Sequence, residues 1–151
     1  MAGRFYEEFE VGQAIVHDLR QEITQADNLK FCDLTHNLQP LHADPDYART
    51  TEFGRIVVNG LYTFSLMVGV SVADTTLGTL VANLGYDAVT MPAPVFPGDV
   101  LRFETTVADK RESRSRPQAG IVTFEHRAIN QDEILVCRCR RTALMQKRGG
   151  A

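Results

Sequence analysis

Hydrophobic and polar residues alternate along the later half of the chain. From Thr79 onward, "LVANLGYDAVT", "DVLRFETTVADKRE", "AGIVTFEHRAIN" and "EILVCRCRRTALM" each show β-branched enrichment or a period of two, with turn signals between them. They predict four strands. A further alternating stretch from Ala14 to Ile23 predicts a fifth, and the half-polar pattern suits an antiparallel sheet with one face covered. The cover is equally legible. "NGLYTFSLMVGVSVADTT", Asn59 to Thr76, is apolar nearly all round and unbroken for about four turns, which predicts a long buried helix. The expected fold class is α+β, with an antiparallel sheet of at least five strands wrapped around a central helix.

Smaller elements connect these. Thr24 to Leu34 predicts a helix capped by Thr24, with Ala26, Leu29, Phe31 and Leu34 facing inward. "DPDYARTTEFG" predicts a short helix started by Asp44, with Pro45 in its first turn and its end near Gly54, so "NLQPLH" reads as a short loop between two helices. Pro97-Gly98-Asp99 and Asn130 to Glu133 predict turns. No linker or repeat marks a second domain. A single domain over residues 1–151 is expected, with "QKRGGA" at 146–151 as a flexible tail.

Composition narrows the chemistry. With 151 residues, 44% of them hydrophobic, the chain can bury one sizeable core. A net charge of -3 argues against nucleic acid as partner and favours a small molecule. The start "MAGRFYEEFEVGQ" lacks the pattern of a secretion signal and no segment has the apolar length of a membrane span, so a cytoplasmic protein with no membrane contact is expected. Cys32, Cys137 and Cys139 form no zinc-type pair. Cys137 and Cys139 fall on one face of a strand, as packing thiols.

"THNLQPLHADP", Thr35 to Pro45, concentrates two histidines and two amides around a proline. His36 and His42, without a third His or Cys nearby, make a poor zinc site, and no metal is expected. "KRESRSRP", Lys110 to Pro117, reads either as a solvated hairpin end or as a phosphate contact through Arg111, Arg114 or Arg116.

Together, "FYEEFEVGQ", "LTHNLQPLHADPDYA", "IVVNG", "PVFPGD" and "NQDEILV" resemble, in this order and spacing, the MaoC-like dehydratases, the (R)-specific enoyl-CoA hydratases of hot-dog fold. The resemblance covers nearly the whole chain. It implies water addition or removal across the 2,3 double bond of an enoyl-CoA thioester, with no cofactor beyond the CoA of the substrate, in a homodimer or larger assembly. The matching histidine, His42, is the acid/base in that family, and imidazole titrates nearest neutral pH. Five residues earlier many members carry aspartate where this chain has Asn37, an amide that cannot take a proton.

That Asn resembles the branch linked to mesaconyl-CoA and related C5 dicarboxylic thioesters. Asn37 would then orient the water while His42 moves protons. Hydration builds negative charge on the thioester oxygen, and the resemblance implies the backbone N–H of Gly60, at the start of the central helix, as its donor. Plainer readings stand beside each role. His42 could order a loop, Asn37 could be a turn residue tolerant of left-handed geometry, and Gly60 could permit tight packing. Hot-dog domains also serve as thioesterases or as acyl-CoA-binding subunits that turn nothing over, and fold alone does not choose.

Overall fold

The computed structural model describes residues 3–150. A 3-10 turn, Tyr6–Glu8, is followed by β1 (Ala14–Val16), β2 (Gln21–Glu22), α1 (Gln25–Leu34), α2 (Pro40–Ala43), α3 (Pro45–Arg49) and the central helix α4 (Gly60–Thr75). The chain closes with β3 (Leu80–Thr90), β4 (Val100–Glu112), β5 (Ala119–Ile129) and β6 (Leu135–Gln146). All strands pair antiparallel in the order β1-β4-β5-β6-β3, with β2 beside β4. The sheet has six strands because the predicted first strand is broken. Ala14 faces Thr106 and Gln21 faces Leu101 on the same partner, while the chain between leaves the ladder after His17 turns its ring inward.

Alternation works as predicted on β4 and β5, where Leu101, Phe103, Thr105 and Val107, then Val122, Phe124, His126 and Ala128, are buried. Two apolar clusters result. One gathers Ile23, Val58, Met67, Val95, Leu101, Phe103 and Val136 against α4. The other, beyond the end of the helix, holds Phe9, Val107, Val122, Phe124 and Met145 under the ring of Tyr6. A side chain at Gly120 would meet that ring at 2.2 Å, so only glycine lets the 3-10 turn lie on the sheet.

A polar band runs between the clusters. His17 donates from Nδ1 to Asp74 Oδ2 at 2.6 Å, and its Nε2 accepts from Thr105 Oγ1 at 2.8 Å. Thr105 Oγ1 in turn accepts from His126 Nδ1 at 2.8 Å. These roles follow from the carboxylate, which here only accepts, and leave His126 Nε2 a lone pair with no partner among the described residues. Beside it Arg141 is fully buried, its guanidinium 5.1 Å from the Phe124 ring centre and bonded to Thr76 Oγ1 at 3.4 Å. Burial, with Arg141 and His17 close by, pushes His126 down to about 3.

Several sequence expectations need correction. The buried positions of α1 are Asn28 and Cys32, while Leu29 and Leu34 are exposed and Phe31 packs on Tyr62 with ring centres 5.5 Å apart. "NLQPLH" is not wholly loop, because Pro40 starts the one-turn helix α2. The short helix begun by Asp44 ends at Arg49, ahead of Gly54. The central helix is not covered all round: Thr63, Met67, Ser71 and Thr75 form its buried stripe, and Leu61 on the other side is exposed. The left-handed residue of the opening motif is His36, with φ 58°, rather than Asn37. Gln146 belongs to β6 rather than to a tail, and Arg148 pairs with Glu8 at 2.7 Å. Cys137 and Cys139 are buried thiols, pushed by burial up to about 11 and about 12, as packing residues should be.

Candidate active site

The segment holding His42 is fixed from below by α1. Thr24 caps that helix through Asp27 N–H, and at its far end the His36 N–H bonds to Asp33 O at 3.2 Å and the Asn37 N–H to Cys32 O at 2.9 Å. This pair of bonds is a Schellman close, whose left-handed position falls on His36. The chain then reverses into α2. The amides of Gln25 and Asn28, one turn apart on the inner face of α1, donate to the main-chain oxygen of His42 at 2.9 and 3.0 Å.

Asn28 reaches further. Its Oδ1 accepts from the Asn59 N–H at 3.0 Å, and Asn59, 3% exposed, caps α4 by accepting from Leu61 N–H at 3.0 Å. One buried amide therefore joins the His42 loop to the start of the central helix. Sequence reasoning missed this residue. Its available signal was polarity, since Asn28 and Cys32 stand four apart where a helix face packed on a core is expected to be apolar.

His42 is half-buried, with Nδ1 at 2.6 Å from the carbonyl oxygen of Val57. A carbonyl only accepts, so Nδ1 carries the proton and Nε2 of the neutral ring is left to exchange one. The ring borders a cavity of about 370 Å³, whose walls are Phe53, Val57, Val58, Gly60 and Thr63, the run Met91 to Val95, and Val136. Among these described residues His42 is the one titratable side chain.

Gly60 shares that cavity. It is the first residue of α4, and no acceptor among the described residues takes its N–H. Met91 packs against it, and a side chain at Gly60 would lie 2.3 Å from the methionine sulfur. An unpaired N–H at the positive end of a sixteen-residue helix, facing the same space as an imidazole nitrogen, can hold a developing negative charge while the imidazole moves a proton.

The structure thus brings together two of the predicted site residues. Asn37 stands apart from the cavity walls, and its Oδ1 accepts from Gln39 N–H at 3.0 Å, holding the turn into α2. Arg111, Arg114 and Arg116 lie at the tip of the β4–β5 hairpin, where Glu112 pairs with Gly120. The cavity lies at the other end of these strands, beside Val95 and Val136, roughly 30 Å away along β4.

A model of the MaoC like domain matches residues 8–129. Over 150 residues, 99% of this chain, the sequence is 33% identical to a Cereibacter sphaeroides protein named mesaconyl-CoA hydratase, and the chain spans 43% of that protein's length. An (R)-specific enoyl-CoA hydratase of Aeromonas caviae is 33% identical over 114 residues, covering 76% of this chain and 81% of that protein. A Mycobacterium tuberculosis protein with a double hot-dog fold superposes with a TM-score of 0.85 over 96% of this chain and 44% of its own, at 20% identity, a likeness of fold alone. The helix wrapped by a six-stranded antiparallel sheet is this hot-dog fold. From the N-terminal turn to the end of β5, through His42 and Gly60, the chain belongs to the MaoC-like domain family.

Proposed function

We propose that the protein is an enoyl-CoA hydratase/3-hydroxyacyl-CoA dehydratase, reversibly adding water across the 2,3 double bond of an enoyl-CoA thioester with (R) stereochemistry. The observation that carries this reading is that His42 and the unpaired N–H of Gly60 line one cavity whose other walls, Thr63 aside, are apolar. In the hydration direction, His42 Nε2 takes a proton from water as the oxygen bonds to C3, and the imidazolium returns a proton to C2. Electron density meanwhile shifts to the thioester oxygen, where the Gly60 N–H bonds to it. Protons balance without a cofactor. Asn37 acts from outside the cavity walls, by holding the turn that leads into α2 and His42.

The cavity walls carry no cationic side chain among the described residues. A carboxylate at the far end of a C5 dicarboxylic acyl group would be unpaired there, so within one chain the site suits a short apolar acyl group better than a mesaconyl group. The likeness to mesaconyl-CoA hydratase keeps the second substrate in the test.

The protein acts as a homodimer. β3 is the last strand in the sheet order, and Val81, Leu84, Tyr86 and Val89 on it are all more than 40% exposed, an apolar edge that a second copy would cover. A monomeric mass at micromolar concentration counts against this assembly.

Purified protein incubated with crotonyl-CoA and with mesaconyl-CoA should bleach the enoyl-thioester absorbance of the first faster, without release of thiol. Thiol release would make it a thioesterase. If neither changes, it is a binding subunit or acts on a different acyl group.

A further inference from the structure

The geometry points to the cleft beside the His42 cavity, formed by Arg49, Gly54, Arg55, Ile56 and Pro97, as the site that holds the phosphate-bearing end of the CoA thioester, with Arg55 as its principal contact. This rests on the reading of the cavity as an acyl-thioester site and extends it to the nucleotide end.

One short piece of chain separates the two spaces. Phe53, Val57 and Val58 face the His42 cavity, while Gly54, Arg55 and Ile56 between them line the neighbouring cleft of about 330 Å³. Gly54 has φ 70°, and this left-handed residue turns the chain toward the second space. A ligand whose reacting end lies beside His42 therefore needs only to cross this segment to reach Arg55.

Arg55 is held ready for an anion. Its guanidinium carbon lies 3.5 Å from the centre of the Phe96 ring, a cation–π contact that takes up none of its N–H donors. The ring is itself fixed. Phe96 N–H donates to Asp99 Oδ2 at 2.9 Å, Asp99 N–H bonds back to Phe96 O at 3.0 Å, and Gln131 Nε2 donates to Asp99 Oδ1 at 2.9 Å. The "PVFPGD" turn is thus the mount of an aromatic platform under a cation.

No ion pair among the described residues includes Arg55, whereas Arg102, Arg127, Arg138 and Arg148 each have a carboxylate. Arg49, across the cleft, pairs with Asp46 on its own helix. A planar fork of donors with no carboxylate, at the mouth of an apolar cavity, is matched by a phosphate group. The arginines of the β4–β5 hairpin are a strand length away from the same cavity.

The test compares crotonyl-CoA with crotonyl-N-acetylcysteamine, which has the same acyl thioester without phosphates. Arg55→Gln should raise KM for crotonyl-CoA about tenfold more than for the short thioester, the loss expected for one charge-assisted hydrogen bond. Arg55→Lys, which keeps the charge without the flat fork, should fall between. Calorimetric titration with free coenzyme A should show the same weakening in Arg55→Gln, and adenosine 3′,5′-bisphosphate should compete.

Equal effects of Arg55→Gln on both thioesters would overturn the assignment, and so would a CoA-specific loss in Arg111→Gln/Arg114→Gln/Arg116→Gln that Arg55→Gln lacks. If the parent protein turns over neither thioester yet binds coenzyme A through Arg55, the hydratase reading fails and the cleft stands. If it does not bind coenzyme A at all, the cleft fails too.

Discussion

The side-chain amide of Asn28 bonds at the same time to the main-chain oxygen of His42 and to the main-chain N–H of Asn59, each at 3.0 Å. One side chain therefore sets the spacing between the proposed acid/base and the helix start that carries the proposed oxyanion donor.

Asn28→Leu should cost about 1–3 kcal/mol of stability, because it strands the buried Asn59 N–H and leaves the His42 oxygen with Gln25 alone. Its diagnostic effect is kinetic. At a temperature where the variant is folded, kcat on crotonyl-CoA should fall about ten- to a hundredfold with KM little changed, as misplacement of reacting groups requires. A parallel change of kcat and KM, or none, would reduce Asn28 to a structural residue.

The opening motif should divide by role. His42→Ala should lower turnover by about two to four orders of magnitude while CoA affinity and folding persist. His36→Ala should leave turnover near the parent value. Asn37→Asp keeps an oxygen for Gln39 N–H, so the turn holds and activity on crotonyl-CoA should be retained. A dead His36→Ala beside an active His42→Ala would place the catalytic histidine wrongly.

His36 occupies a left-handed conformation, φ 58°, that costs any residue with a side chain. His36→Gly should stabilise the fold by about 0.5–1 kcal/mol and raise Tm by about 2 °C, measured by thermal unfolding. An unchanged or lowered Tm would mean that the ring has contacts offsetting its strain.

Stability should fall with acid through His126. Its folded imidazole, held near 3 by burial, stays neutral, whereas the unfolded one takes a proton below about 6.5. Between these values the unfolded state binds more protons, so stability declines as pH falls, by at most about 1.4 kcal/mol per pH unit from this group. His126→Gln, which keeps a donor for Thr105, should flatten urea-unfolding stability between pH 6.5 and 5. An unaltered slope would assign the acid sensitivity elsewhere.

The parts of the fold that repeat were legible in the sequence. β4 and β5 follow a period of two over ten or more residues each, and α4 is a long, mostly apolar run, so local errors average out. α1 did not, because it faces the core with Asn28 and Cys32, whose place depends on hydrogen bonds to groups far along the chain rather than on apolarity. The break in the first strand has no local signal, because the partner that draws His17 inward, Asp74, is 57 residues away.

In the site, His42 and Gly60 could be picked out by motif, and the structure gives them a common cavity. Asn37 could be picked out equally well, yet its side chain serves the turn. The run of arginines lies at the hairpin end of β4, away from the His42 cavity, while Arg55, alone in its sequence neighbourhood, meets the Phe96 ring only in the fold.

The strand order has a consequence for how the chain is made. Ala14 must find Thr106 and Leu80 must find Met145, so both outer strands wait for partners synthesised much later. Until β4, β5 and β6 have left the ribosome, "GLYTFSLMVGVSV" of α4 has no sheet to lie against. Folding should therefore be late and largely concerted, paced by long-range pairing rather than by helix formation. The nascent chain would depend on chaperones for as long as that apolar helix remains uncovered.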